Sequence, residues 1–499
     1  MGPQRDVVGD WQKAAQKYGL RFGVSEHLGA SFTWFQSSHR ADKAGPKAGV
    51  PYDGADPKYE DLYHFPAEPK DTGWYSNNPK WHKQWFNCIT DLIDNYNLDL
   101  LYTDGGVPFA NEAGMSMIAH LYNTDIKNRG QLEVVYNCKQ GSEGRWVEDL
   151  ERGVMPRINP TPWQTDTSIG DWYYNKNWKF RPVSWEIQML VDIVSKNGNL
   201  LLNVVQRPDG SLDAEVEQML GDLAAWNEVN GEAIFGTRPW LVYGEGATRA
   251  RGGHFNEDYK YSAKDIRFTT KGAALYAIAL GRPIDGQIVI RSLAKPADGG
   301  NAIQKVSLVG SDAALEFKQT ADALIVTIPE TKGIEAAPAK AWNCTTALKI
   351  TGTDLKAVPF AQVIEAIGPD RKGIFKLDAD SAELHGKLQV EHKGVPSNIG
   401  FWDSAADWVS WKVKLDKAGS YQVSASCAAT SESEFVVEAA GQQLVGKVPK
   451  TGDWGKFQRF DVGRIEIKQP GEQVVKVRPH DPKTWRAINL AEIVLKPAK

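Results

Sequence analysis

The sequence predicts a multidomain chain: a partial (β/α)8, TIM-like barrel followed by two all-β sandwich domains. Three observations carry this expectation. Residues 7–243 alternate between helical and extended hydrophobic periods, the pattern of parallel β/α units. From Trp240 onward the texture changes to short alternating strands split by Gly, Pro and Asp turns. The length of 499 residues corresponds to about three domains at roughly 150 residues each. The expected boundaries are a barrel domain over residues 1–239, a sandwich over 240–352, a linker over 353–372 and a second sandwich over 373–499.

The elements follow in order. Val7, Val8, Trp11, Ala14, Ala15 and Tyr18 recur at helical spacing, Gly19 stops that helix, and residues 20–24 read as a strand. Trp81, Trp85, Cys88, Ile89, Leu92, Ile93 and Tyr96 form a second helical stripe. A buried strand over residues 98–102 follows and ends at Thr103-Asp104-Gly105-Gly106. A helical stretch over 115–121 leads to a strand over 132–136 that ends at Asn137. Ile187, Leu190, Val191 and Val194 make another helix, with Gly198 placed to cap it and residues 199–204 as the next strand. Residues 215–229 form the last helix. This amounts to four or five strands, whereas a closed barrel has eight. The two sandwiches show alternation best at 265–270, 274–280 and 287–290, and at 409–415 and 421–425.

Composition excludes several classes. Lys+Arg of 58 against Asp+Glu of 62 leaves a net charge of −4, too small and too evenly spread to attract a phosphate backbone, so nucleic acid is not an expected partner. No apolar run approaches the roughly 20 residues that cross a bilayer. Cys88, Cys138, Cys344 and Cys427 are isolated, without metal-ligand spacing, so neither a disulfide framework nor a structural zinc site is indicated, and no metal is expected. The amino terminus shows no basic region followed by an apolar stretch, so no signal peptide is visible in it.

Each strand delivers a polar group at its carboxyl end: Glu26 and His27, Asp104, Asn137 and Asn203. In a parallel barrel that end is the catalytic face. Asp104 follows an apolar strand and precedes two glycines that allow close approach to the backbone; a turn or helix cap is the plain alternative. A partner acid is expected in the charged stretch Glu148-Asp149-Leu150-Glu151-Arg152-Gly153, where any one carboxylate can also be a solvated loop charge. Trp34, Trp146, Trp163, Trp172, Tyr173, Tyr174 and Trp178 crowd loops, where exposed rings stack on sugars or simply pack.

On these residues the chain resembles α-L-fucosidases of glycoside hydrolase family 29. The matching segments are Arg5-Asp6-Val7-Val8-Gly9, Gly19-Leu20-Arg21-Phe22-Gly23-Val24-Ser25-Glu26-His27 and Leu98-Asp99-Leu100-Leu101-Tyr102-Thr103-Asp104-Gly105. The longest is Ser195-Lys196-Asn197-Gly198-Asn199-Leu200-Leu201-Leu202-Asn203-Val204, followed by Pro208-Asp209-Gly210 and Asn230-Gly231-Glu232-Ala233-Ile234-Phe235-Gly236-Thr237-Arg238-Pro239-Trp240. The similarity spans about residues 5–350. It implies a retaining exo-glycosidase that hydrolyses terminal α-L-fucosyl linkages of a glycan or polysaccharide without a cofactor. Asp104 is then the nucleophile and Glu151 the acid/base, with Glu148 as the alternative acid. Gln164 stands where the family has a glutamate after Trp163, and glutamine cannot supply the proton. Tyr102 replaces a frequent Trp. Glu26, His27, Trp34, Tyr102, Trp163, Gln164 and Trp172 complete the expected substrate-binding set.

The segment that precedes Arg5 in the family, including a His-His-Asp-Gly-Phe motif, has no counterpart here, so the chain reads as a fragment of a longer enzyme. The other readings are a non-catalytic carbohydrate-binding protein and a glycosidase acting on a related sugar such as galactose. The carboxyl-terminal unit resembles a family 6 type carbohydrate-binding module through Ala418-Gly419-Ser420-Tyr421-Gln422-Val423, Thr451-Gly452-Asp453-Trp454 and Ala487-Ile488-Asn489-Leu490-Ala491-Glu492-Ile493. Trp402, Trp408, Trp454 and Trp485 are its candidate stacking residues. An enzyme of this build is expected to be exported, secreted or periplasmic, if the full-length chain carries a leader.

Overall fold

Apolar stripes at helical spacing and short extended runs ending in polar residues assemble into one all-parallel sheet of six strands. The computed structural model describes residues 4–109, 112–141, 144–246, 248, 250, 252–297, 299–311, 313–329, 344–359, 366–370, 372–391, 396–415 and 417–498. They fall into two compact units. The first holds the residues up to Gly153 with Asn159–Ser168 and Asn197–Asn203; the second holds Val154–Ile158, Ile169–Lys196 and the residues from Val204 on.

In the first unit, helix α1 (Val7–Lys17) starts where the Asp6 carboxylate accepts from the Gly9 amide, and Gly19, at φ +67°, turns the chain out of it. Strand β1 (Gly23–Glu26) lies slightly later than the expected 20–24 and leads into α2 (Leu28–Trp34), a short α3 (Glu60–Tyr63) and α4 (Pro79–Tyr96). Asn78 caps α4, Pro79 occupies its first turn, and its Trp81, Trp85, Ile89 and Ile93 are buried, which is the stripe seen in the sequence. Strands β2 (Leu100–Thr103), β3 (Val135–Cys138), β4 (Val147–Asp149), β5 (Trp163–Ser168) and β6 (Gly198–Asn203) complete the half-barrel in chain order, with α5 (Ala113–Arg129) between β2 and β3.

Six strands replace the expected four or five. Strand β3 starts later than residue 132 because the buried Asp125 carboxylate takes the amides of Glu133 (2.6 Å) and Val134 (2.9 Å), tying that segment to α5 as a turn. Asn137 therefore lies inside β3. Strands β4 and β5 fall in stretches read as loops: β5 alternates Trp and Thr with Gln, Asp and Ser, yet Thr165, Thr167 and Ser168 are buried.

The second unit contains α6 (Val183–Ser195) and α7 (Ala214–Asn230). Asn197, at φ +71°, takes the left-handed position after α6, so Gly198 begins β6 rather than capping the helix. Strands β7 (Arg238–Glu245), β8 (Ile266–Lys271), β9 (Ala274–Ala279), β10 (Gln287–Ile290), β11 (Ala302–Leu308), β12 (Phe317–Gln319), β13 (Leu324–Thr327) and β14 (Thr346–Thr353) form a five-stranded sheet, β11-β14-β9-β8-β7, and a three-stranded sheet, β10-β13-β12. Their shared core includes Phe268, Ile288, Val306, Leu324, Leu348 and Ile350. At one end of it Asp192 of α6 pairs with Lys196 (2.6 Å) and Arg267 (2.5 Å), all three buried.

The last sandwich pairs two antiparallel sheets. One orders β16 (Glu383–His385), β19 (Trp408–Leu415), β24 (Gly471–Pro479), β21 (Ser433–Ala439) and β22 (Gln442–Val448). The other orders β17 (Gln389–Glu391), β18 (Asn398–Gly400), β25 (Asn489–Pro497), β20 (Gly419–Ala428) and β23 (Gln458–Ile467), with β15 (Phe375–Asp378) beside β25. Within the expected linker, Ile367 already donates to the Lys412 carbonyl (2.8 Å) and sits in this core; residues 360–365 and 371 lie outside the described ones. Trp402 and Trp485 are core residues, the Trp485 indole donating to the Trp402 carbonyl (2.8 Å). Trp408 is half-buried and stacked flat on His385. Of the four tryptophans singled out as sugar-stacking candidates, Trp454 is the exposed one. Among the described residues no helix is long and apolar enough to cross a membrane.

Candidate active site

The backbone ladder runs past the carboxyl ends of β1 to β5 and fixes where the next side chains emerge. The Asp104 amide donates to the Glu26 carbonyl (3.3 Å), Lys139 to Gly105 (2.7 Å), Leu150 to Gln164 (2.9 Å) and Arg152 to Asp166 (2.8 Å). The rim so formed carries a charge cluster built around Lys139. Its ammonium lies 2.7 Å from Asp104 Oδ1, 2.8 Å from Glu151 Oε2 and 3.4 Å from Asp166 Oδ2, with 12% of the lysine side chain exposed. Burial on its own lowers a lysine, but the hydrogen bonds to Asp104 and Glu151 and the field of Asp166 outweigh it, so Lys139 is held charged well above its ordinary range.

Two oxygens bound to one nitrogen are separated by no more than those two bond lengths end to end. Those oxygens of Asp104 and Glu151 are therefore at most about 5.5 Å apart, an upper limit that accommodates the roughly 5–5.5 Å between the two carboxyls of retaining glycosidases. The second Asp104 oxygen lies 2.6 Å from His27 Nε2. Both carboxylates stay accessible, with side-chain exposures of 31% for Asp104 and 23% for Glu151.

Aromatic rings flank this pair. The His27 ring tilts against Trp34 at 5.1 Å, and Trp34 meets Trp74 edge-on at 5.2 Å; both tryptophans are exposed over about half their surface. Gly105 sits beneath Trp74 and Tyr75. Its φ is +132°, and a methyl group there would come 2.6 Å from the Tyr75 hydroxyl oxygen, so only glycine lets the rings close in beside Asp104.

Other expected site residues lie elsewhere. Glu26 is buried, its oxygens taken by the Thr103 hydroxyl (3.0 Å) and by the Gly29 amide (3.2 Å), so it ties β1 to β2 and α2 instead of meeting substrate. Tyr102 is also buried and spends its hydroxyl on Asp149 Oδ2 (3.0 Å). Trp163 is fully buried at the start of β5 and offers no face to a sugar. Gln164 donates to Asp149 Oδ1 (2.9 Å). Glu148 projects to the opposite side of β4 from Asp149, next to Gly141, where burial raises its carboxyl. Trp172 belongs to the second unit and is partly exposed.

The chain resembles known proteins in sequence and in fold. The profile of the α-L-fucosidase family matches residues 1–232, and that of the α-L-fucosidase C-terminal domain matches residues 260–351. Residues 1–232 and 260–351 thus match the catalytic and C-terminal domains of the α-L-fucosidase family. It is 26% identical to human tissue α-L-fucosidase over 70% of this chain and 66% of that protein, and 24% identical to the rat tissue enzyme over 66% and 63%. The chain thus spans just under two thirds of the length of these relatives. A solved α-L-fucosidase structure aligns with a TM-score of 0.50 and 26% identity, covering 70% of this chain and 68% of its own. That of a Vibrio α-L-fucosidase covers 99% of this chain and 79% of its own at TM-score 0.50 and 15% identity, a likeness of fold.

Within this family framework, Lys139, Asp166, Trp74 and Tyr75 are the residues that sequence reasoning missed. Lys139 had a legible signal, since it lies two positions beyond Asn137 at a strand end. Asp166 had none, because its strand is too polar to read as one.

Proposed function

We propose that the chain hydrolyses terminal α-L-fucosyl linkages with retention of configuration. Asp104 attacks the anomeric carbon as Glu151 gives its proton to the leaving glycosidic oxygen, forming a fucosyl ester on Asp104. Glu151, now a carboxylate, then takes a proton from water, whose oxygen attacks the same carbon and releases fucose and the Asp104 carboxylate. The observation that carries this reading is the placement of both acids on one ammonium at the strand-end rim. Trp34 and Trp74 supply apolar ring faces of the kind that stack on a sugar, and His27 steadies the nucleophile.

The test is turnover of an aryl α-L-fucoside. Asp104→Asn is expected to abolish aryl release, and azide is expected to restore it in Asp104→Gly. Unchanged turnover in Asp104→Asn overturns the assignment, and parallel assays on aryl galactosides separate fucose from related sugars.

A second reading rests on the last sandwich. A cleft of about 260 Å³ there is lined by Glu391, Phe401, Asp403, Trp454 and Asn489, and both aromatic rings are exposed. Carboxylates and an amide beside ring faces suit a hydroxylated ligand, which supports a sugar-binding role for this sandwich. Glycan-array binding by the full chain that disappears in Trp454→Ala supports it; binding that survives the change contradicts it.

A further inference from the structure

Behind Lys139 lies a second pair of carboxyls that the proposed reaction does not use. Asp149, on β4, is fully buried, and both its oxygens already accept, from Tyr102 of β2 and from Gln164 of β5. Registry across the parallel strands sets Asp149 opposite Gln164, so Asp166, two residues further on the same face of β5, stands diagonally beside it and within hydrogen-bonding reach. Asp166 Oδ2 touches Lys139, whereas its Oδ1 is buried with no hydrogen-bond donor among the described residues. A buried carboxylate oxygen without a donor is costly. Two carboxyls side by side supply one by keeping a proton between them.

We propose that Asp149 and Asp166 share one proton, and that this pair positions Lys139 between Asp104 and Glu151. With the proton in place, the pair presents a single negative charge to the ammonium, and Tyr102 and Gln164 keep Asp149 oriented toward Asp166. Without it, a second buried negative charge draws Lys139 away from the two reacting carboxylates. Of the other groups around Asp149, Cys138 on β3 is a neutral thiol, raised by burial, and Tyr102 is a neutral phenol; the hydrogen bonds that Tyr102 and Gln164 donate favour the charged form of Asp149, and burial with the charge of Asp166 outweighs them. Burial first, and then the charge of Asp166, push Asp149 up to about 8. The folded value exceeds the ordinary 3.8, so the pair's contribution to stability is complete below that value and is lost as pH rises through about 8.

The proton sharing stands on its own; the positioning role rests on Asp104 and Glu151 being the reacting pair. The test is NMR titration of the full chain carrying 13C-carboxyl aspartate and 15N lysine. One aspartate carboxyl is expected to titrate above neutrality, to vanish in Asp149→Asn and to move down by about one pH unit or more in Asp166→Asn. The Lys139 15N signal is expected to follow the same midpoint in the wild type and to lose that step in Asp149→Asn. In parallel, kcat/KM for an aryl α-L-fucoside is expected to fall along an alkaline limb that Asp149→Asn removes while keeping activity at neutral pH.

Aspartates that all titrate below about pH 6, or a high-titrating signal that survives Asp149→Asn, overturn the shared proton. A Lys139 signal that ignores the titration overturns the positioning role. A wild type that turns over no fucoside defeats the proposed reaction alone, since both NMR readouts still decide the pair.

Discussion

Asp104 and Glu151 repel one another whenever both are ionised unless a cation lies between them, and Lys139 is that cation. Replacing it with an uncharged side chain of similar length is expected to leave Asp104 and Glu151 unanchored. Lys139→Met should lower kcat for an aryl fucoside by roughly 10²–10³-fold, in the range for a lost electrostatic group at a reacting centre. Steady-state kinetics beside an unchanged far-UV spectrum check this. Gly105→Ala is expected to cost about 1–3 kcal/mol through its backbone conformation and the clash with Tyr75, read as a lowered unfolding midpoint. At this scale the position of Asp104 on the strand-end rim was legible, because it follows an apolar strand and precedes two glycines. Tyr102 and Trp163 were misjudged as sugar contacts for a common reason. An aromatic residue looks the same in sequence whether its ring faces a ligand or the interior, and both rings are buried, Tyr102 on the sheet face of Asp149 and Trp163 on the opposite one.

Among the elements, the helices were the most legible. The stripe of Trp81, Trp85, Ile89 and Ile93 and the proline and asparagine at its start define α4 almost unaided. Strands β4 and β5 escaped notice because both of their faces bury polar groups: Thr165 reaches the Leu150 carbonyl at 2.6 Å, and on the opposite face Asp149 meets Tyr102. Hydrophobic periodicity cannot register a strand whose buried residues hydrogen-bond instead of packing. Trp163 is the exception, an anchor at the head of β5. Trp163→Ala is expected to cost about 3–5 kcal/mol in chemical denaturation of the first unit, through the cavity left behind. Sugar affinity of the fraction that stays folded should not change, whereas a selective loss of affinity would show that the ring meets substrate after all.

On the scale of the whole chain, the order of a parallel half-barrel followed by antiparallel sheets was legible in the change of texture near Trp240. The segment Ser195-Lys196-Asn197-Gly198-Asn199, which carried much of the family resemblance, owes part of its character to structure: Lys196 is one arm of the buried Asp192 triad. Asp192→Ala leaves two buried cations without their partner and is expected to destabilise the second unit by about 3–5 kcal/mol, measured by denaturant titration. The central claim, that Asp104 forms the covalent bond to the sugar, is tested most directly by trapping that bond. Incubation with 2-deoxy-2-fluoro-fucosyl fluoride followed by peptide mass spectrometry is predicted to add one fluorofucosyl group, on the peptide that contains Asp104. A label on Glu151 or on any other residue, or turnover without a trappable ester, would contradict the account.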